Sequence, residues 1–147
     1  RYIFDYLDKA GLADKSEKMQ MSIILIDIND FKKINDKYGH PVGDEVICQV
    51  AEIGSDIFRQ GDIFGRIGGE EFCVVLQNTT MDGAITFANR LCRAINNLVI
   101  ESDDNKLKIT VSIGLAELSD EKTFEELIKK SDIALYKAKE NGRNSKK

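Results

Sequence analysis

Two glycines followed by two acids, Gly68-Gly69-Glu70-Glu71, stand between two apolar segments and constrain the chain more than any other run. Asp62-Ile63-Phe64 lies upstream, and Phe72-Cys73-Val74-Val75-Leu76 lies downstream. Gly-Gly between strand-like runs signals a two-residue hairpin of type I′, whose central residues both need positive φ. The flanking segments are therefore expected to pair as antiparallel strands. A carboxylate then sits at the mouth of the hairpin, beside backbone with no side chains to block a ligand. That arrangement suits a metal-bound phosphate. An exposed acidic turn fits the same residues, so the run needs support from elsewhere in the chain.

Periodicity places the other elements. Residues 2 to about 10 suit a helix with Ile3, Phe4 and Leu7 on one face, and residues 11–20 are polar and loop-like. Ser22 to Ile28 reads as a strand buried on both faces, because Ile23 to Ile26 is continuously apolar and the run ends at an acid, Asp27. A short helix through Phe31, Ile34 and Tyr38 is stopped by Gly39. Helical spacing returns over residues 43–59 at Val46, Ile47, Val50, Ile53, Gly54 and Ile57. It returns again over residues 81–98 at Ala84, Phe87, Ala88, Leu91, Ile95 and Leu98. Residues 107–116 alternate, with Leu107, Ile109, Val111, Ile113 and Leu115 on the apolar face, as in a half-buried strand. Thr123 and Glu126 form a capping box for a last helix ending near Gly142, with Ser131 as a candidate interruption. This order implies an α+β sandwich with helices against a mixed or antiparallel sheet.

Composition narrows the function. The 147 residues match one ordinary domain, and 42% hydrophobic content is enough for one core. A net charge of −4 argues against a nucleic-acid binder held by bulk charge, so an anionic nucleotide would need local cations or a metal. Cys48, Cys73 and Cys92 form no C-x-x-C pair and each lies in an apolar run, which reads as buried free thiols in a reducing, cytoplasmic compartment. No signal peptide or membrane-length apolar stretch is visible, and no direct membrane contact is expected from this domain. The first residue is Arg1 rather than Met, so the chain reads as a piece of a longer protein.

The hairpin segment resembles the signature of GGDEF-domain diguanylate cyclases, in its Gly-Gly-Glu-Glu-Phe form. Three further stretches match in order. Asp27-Ile28-Asn29-Asp30-Phe31-Lys32-Lys33-Ile34-Asn35-Asp36, with Gly39-His40 and Gly43-Asp44, is similar to the family's D-x-D-x-F-K-x-x-N-D-x-x-G-H-x-x-G-D. Arg59-Gln60-Gly61-Asp62 resembles its R-x-x-D inhibitory motif. Ala134-Leu135-Tyr136-Lys137-Ala138-Lys139-Glu140-Asn141-Gly142-Arg143-Asn144 is similar to its closing A-L-Y-x-A-K-x-x-G-R-N. The resemblance implies a palm-like nucleotide-cyclase sandwich with a central, mostly antiparallel sheet surrounded by helices. It makes residues 1–147 one catalytic domain, N-terminally truncated, of a larger signalling protein with an upstream sensor or dimerisation domain. The implied reaction joins two GTP molecules into cyclic di-GMP, with release of two pyrophosphates, across a homodimer.

Asp27 and Glu70 are the candidate metal-ligating acids, since adjacent strands can bring a strand end and a turn together. Mg²⁺ takes oxygen ligands and needs only one or two carboxylates when phosphates complete its shell. The resemblance adds the Ile28 backbone carbonyl and implies two Mg²⁺ per site, with Mn²⁺ as an alternative. Glu71 is the candidate for deprotonating the attacking 3′-hydroxyl. Lys139 and Arg143, four apart, share a helix face and match the family's phosphate-holding positions, with Lys32 as a third cation. Gly68 and Gly69 provide the open backbone at the substrate. Asn35 and Asp44 match the guanine-reading pair, although Asp44 also suits an N-cap. Arg59, Asp62 and Arg90 are the implied product-inhibition site, where an arginine fork can hold phosphate and stack on guanine. His40 is read as a structural loop residue, and Phe31 and Phe72 as core. Asn29 departs from the family by replacing the second acid, and the family's opening D-x-L-T-G-L-x-N-R stretch is missing. A degenerate module that binds GTP or cyclic di-GMP without turnover is the alternative, and no nucleic-acid partner is expected.

Overall fold

The computed structural model of the chain describes residues 20–102, 105–121 and 123–140. The expected N-terminal helix, nearly all of the polar 11–20 segment, Gly142 and Arg143 lie outside these residues. Strand β1, Met21–Ile28, is buried at every position, as its unbroken apolar run requires. Each isoleucine fully buried there contributes roughly 1.5–3 kcal/mol. It lies between β3 (Glu71–Gln77) and β6 (Val111–Glu117), while β2 (Ile63–Arg66) extends the other edge of β3. The order β2-β3-β1-β6 is antiparallel at every pairing. A separate small hairpin joins β4 (Ile100–Ser102) to β5 (Asn105–Leu107).

Helices cover both faces of the main sheet. Helix α1 (Phe31–Tyr38), α2 (His40–Ile57) and α3 (Met81–Asn96) pack on the face that carries Ile24, Ile26, Ile28, Val74 and Leu76. Helix α4 (Phe124–Glu140) packs on the other, against Ile23, Leu25, Cys73, Val75 and Ala116. The amide of Glu126 donates to Thr123 Oγ1 at 3.2 Å, which confirms half of the capping box. Ser131 does not interrupt α4; its hydroxyl donates to the Ile128 carbonyl instead.

Several local expectations are corrected. The alternating 107–116 stretch is not one half-buried strand. It breaks between β5 and β6, and within β6 the small-residue face is the more deeply buried. Ser112, Gly114 and Ala116 lie under α4, so a methyl on Gly114 would stand 2.3 Å from the Ser131 carbonyl oxygen and 2.5 Å from the Leu135 nitrogen. Small residues there mark close helix approach rather than solvent. Helix α2 begins at His40, with Gly39 at its N-cap and Pro41 in the first turn. His40 is therefore helical and Asp44 is not an N-cap; proline's fixed φ favours this earlier start. Cys48 is exposed, whereas Cys73 is buried, and burial pushes its thiol up to about 12. Burial also raises the partly covered Cys92.

Candidate active site

The Gly68-Gly69 turn differs from the type I′ expectation. Positive φ among the described glycines occurs only at Gly39 and Gly61. Arg66 pairs with Phe72, and the Ile67 amide donates to the Glu71 carbonyl at 2.9 Å. The loop between them holds Gly68, Gly69 and Glu70, one residue more than a two-residue turn. Arg66 stabilises this shape by donating to the Gly68 carbonyl at 3.0 Å and, through Nη2, to the Gly69 carbonyl at 2.7 Å. A side-chain fork thus holds the turn where an I′ backbone was expected. A methyl on Gly69 would meet nothing within 4 Å, and one on Gly68 only the Glu71 side chain. Neither glycine is demanded by crowding or by φ, which leaves open backbone as their distinguishing property.

The turn meets the end of β1. The Ile28 amide donates to the Glu70 carbonyl at 3.2 Å, which sets Glu70 beside Asp27 and Ile28. Asp27 and Glu71 are direct partners in the β1–β3 register, so their side chains share one face of the sheet. That face is the one α4 covers, since Leu25 and Cys73 alternate with them there. Like charges directly opposite each other repel, and a cation must offset them. Lys139, in the last turn of α4, donates from Nζ to Asp27 Oδ2. The other Asp27 oxygen, Oδ1, is buried and has no hydrogen-bond partner among the described residues.

Asn29 is fixed on the same side. It accepts from the Ser112 hydroxyl at 2.7 Å and donates to Thr110 Oγ1 at 2.8 Å, while its amide donates to the Thr110 carbonyl at 2.9 Å. Its carboxamide locks the turn out of β1 against β6. Asp30 follows in the left-handed region, at φ 56°, and redirects the chain into α1. Lys32 is exposed in the first turn of α1.

Asn35 and Asp44 lie at the α1–α2 corner. Asn35 packs so closely on Gly43 that a methyl there would stand 1.8 Å from its Oδ1, and this oxygen is buried without a hydrogen-bond partner among the described residues. Asp44 is exposed on the first turns of α2. Phe72 is fully buried and stacks on Phe64 at 5.4 Å, as a core residue should. Arg59 and Asp62 close on each other, Nε to Oδ2 at 3.1 Å, and line a surface pocket with Gln60, Gly61, Gln77 and Asn78. Arg90 is exposed on α3, and among the described residues no hydrogen bond or ion pair joins it to that motif. Sequence reasoning gave no role to Arg66, Thr79, Thr110 or Ser112, because their partners are set by tertiary packing.

Known proteins match the chain in sequence and in fold. The family model described as diguanylate cyclase, GGDEF domain, matches residues 1–145. Diguanylate cyclase A of Treponema denticola is 40% identical over 129 residues, covering 87% of this chain and 35% of that protein. Diguanylate cyclase DgcM of Escherichia coli is 42% identical over 123 residues, covering 84% and 29%. The chain therefore spans about a third of the length of these curated relatives. Among solved structures, an active GGEEF domain of a Vibrio cholerae diguanylate cyclase superposes with TM-score 0.84 at 34% identity, covering 95% of this chain and 92% of that one. The GGDEF domain of DgcB from Caulobacter crescentus, solved in complex with c-di-GMP, gives 0.87 at 28% identity, covering 95% and 84%. With the strand end and glycine turn meeting as they do, these matches place the chain in the GGDEF-domain family of diguanylate cyclases.

Proposed function

We propose that this domain condenses two GTP molecules into cyclic di-GMP and two pyrophosphates where two copies face each other. The observation that carries the reading is the junction of β1 with the glycine turn, where the Ile28 amide bonds the Glu70 carbonyl next to Asp27, whose buried Oδ1 has no hydrogen-bond partner among the described residues. Among the described residues no three His, Cys, Asp or Glu side chains gather as a metal cluster. Mg²⁺ or Mn²⁺ bound through substrate phosphates does not need one, and Asp27, Glu70 and the Ile28 carbonyl fit that demand. Two such ions would neutralise the triphosphate and stabilise the attacking and leaving oxygens.

The remaining roles are those that the family resemblance implies. Lys32, Lys139 and Arg143 hold phosphates, and Gly68 and Gly69 let the substrate approach the backbone. Asn35 and Asp44 read guanine, with Asp44 accepting from N1–H and the N2 amino group. Glu71 assists removal of the 3′-hydroxyl proton, which leaves as that oxygen attacks the α-phosphate of the opposite GTP. Positioning and charge neutralisation then carry most of the catalysis. Arg59, Asp62 and Arg90 bind the product and hold two domains in an unproductive arrangement, which shifts the equilibrium away from turnover. A cytoplasmic location within a larger signalling protein suits a nucleotide substrate and three unpaired cysteines. Among the described residues no helix is long and apolar enough to cross a membrane.

Turnover of GTP with Mg²⁺ tests the reading. Activity per molecule should rise with protein concentration, or on fusion to a dimeric coiled coil. A rate that stays flat and high down to nanomolar protein would refute the two-copy arrangement. Binding without turnover is favoured by one observation: Asn29, where the family has an acid, is held by Thr110 and Ser112. Binding of GTP or cyclic di-GMP by the fused dimer with no product formed would establish that alternative.

Substrate choice gives a second expected outcome. In competition, GTP should be used in strong preference to ATP, because adenine offers no matching donors to Asp44. Asp44→Ser should lower that preference about tenfold or more, since a site built on such hydrogen bonds discriminates through groups otherwise left unpaired. Equal use of both nucleotides by the unaltered protein would exclude the assignment.

A further inference from the structure

We infer that Thr79 is a positioning residue for the product pocket: its hydroxyl presets the Arg59 guanidinium before ligand arrives. The inference rests on the reading of Arg59 and Asp62 as a cyclic di-GMP site. Arg59 is an exposed loop arginine, and such a side chain ordinarily samples many rotamers. Here it is held on two sides. Nε donates to Asp62 Oδ2 at 3.1 Å, and Nη2 donates to Asp62 Oδ1 at 3.3 Å and to Thr79 Oγ1 at 2.8 Å. The Asp62 side chain is only 2% exposed, whereas that of Arg59 is 58% exposed. The carboxylate is thus the fixed partner and the guanidinium the one presented. Nε and Nη2 are committed, which leaves Nη1 and the guanidinium face for a ligand.

Thr79 is itself rigidly placed. It is buried, its hydroxyl donates to the Gln77 carbonyl at 2.9 Å, and its carbonyl accepts from the buried Ser22 hydroxyl at 2.9 Å. Asn78, in the left-handed region at φ 53°, turns the chain so that Thr79 faces Arg59, and its amide donates to the Gln20 carbonyl at 2.7 Å. The anchor is therefore β1, the strand that ends at Asp27. Gln77 and Asn78 also line the pocket, and Gln77 Nε2 donates to the Gly61 carbonyl at 2.9 Å, which fixes the loop that carries the motif. A side chain ordered in advance loses less entropy on binding, and that saving appears directly as affinity.

The test compares Thr79→Val, which keeps the shape and loses the hydroxyl, with Thr79→Ser, which keeps the hydroxyl. Calorimetry with cyclic di-GMP reads affinity in the purified protein, with Arg59→Ala as reference. NMR of the Arg59 Nε–H reads ordering without ligand. We expect Thr79→Val to weaken binding about five- to tenfold and to broaden the Nε–H signal as the guanidinium loses its Nη2 anchor, and Thr79→Ser to stay within about twofold on affinity. If Arg59→Ala loses binding while Thr79→Val binds as the unaltered protein does, the positioning role is overturned. Equal losses in Val and Ser also overturn it, since the effect would then be one of packing. If Arg59→Ala binds normally, the product-site reading fails. A Thr79-dependent Nε–H signal in that case still establishes the side-chain ordering separately.

Discussion

Glu70→Gln should reduce cyclic di-GMP formation at least tenfold while the domain stays folded. The amide keeps the shape of the side chain but removes the charge that would hold Mg²⁺. Among the described residues the Glu70 side chain makes no hydrogen bond or ion pair, and its structural contact is through the carbonyl that accepts from Ile28. Loss of a charge-bearing group at the transferring phosphate typically costs about 10²–10³ in rate, by analogy with removal of one electrostatic stabiliser. Product measured by chromatography in a coiled-coil-fused dimer, beside a thermal melt, separates chemistry from folding. Turnover above a tenth of the unaltered rate, with an unchanged melt, would falsify the ligand assignment. Asp27→Asn should also lose activity, but with a lowered melting midpoint. Asp27 is buried, and its change removes the partner of Lys139 from the sheet face.

The largest stability effect is expected at Gly114→Ala. The added methyl would meet the Ser131 carbonyl oxygen and the Leu135 amide, both backbone atoms of α4 that no rotamer change can move. Helix α4 must lift from β6 or the strand must shift. Overpacking of this kind costs about 3 kcal/mol, or roughly 10 °C in Tm for a domain this size. Because α4 carries Lys139 to Asp27, the variant should lose activity even below its melting temperature. A melt within about 2 °C of the unaltered protein would show that the helix yields easily, contrary to the packing described.

The sequence carried the elements whose signal is local. The unbroken apolar run of β1 forced a central strand, and the Phe31–Tyr38, Met81–Asn96 and Phe124–Glu140 helices followed from spacing and from Thr123 as a cap. The motifs also marked Asp27, Glu70 and Glu71, which the fold gathers at one end of the sheet, and the Arg59–Asp62 pair, which it closes. The turn at Gly68-Gly69 was legible as a hairpin but not in its type, because Arg66 reaches across to hold carbonyls that the dipeptide alone would have arranged otherwise. The 107–116 alternation separates two faces but does not say that α4 covers the small-residue one, since spacing distinguishes faces without showing what lies on each. The β4–β5 hairpin and the exposure of Cys48 likewise depended on neighbours, whereas the start of α2 at His40 follows the local signal of Pro41 in its first turn.

Local periodicity and motif spacing, set by side chains within a few residues of one another, thus determined the sheet core, most helices and the acids at the strand end and turn. Tertiary structure alone decided the contacts between residues far apart in sequence: Lys139 on Asp27, Ser112 and Thr110 on Asn29, and Thr79 on Arg59. Each joins elements whose approach is fixed by strand register and helix packing, and neither quantity is encoded in any single stretch of the chain.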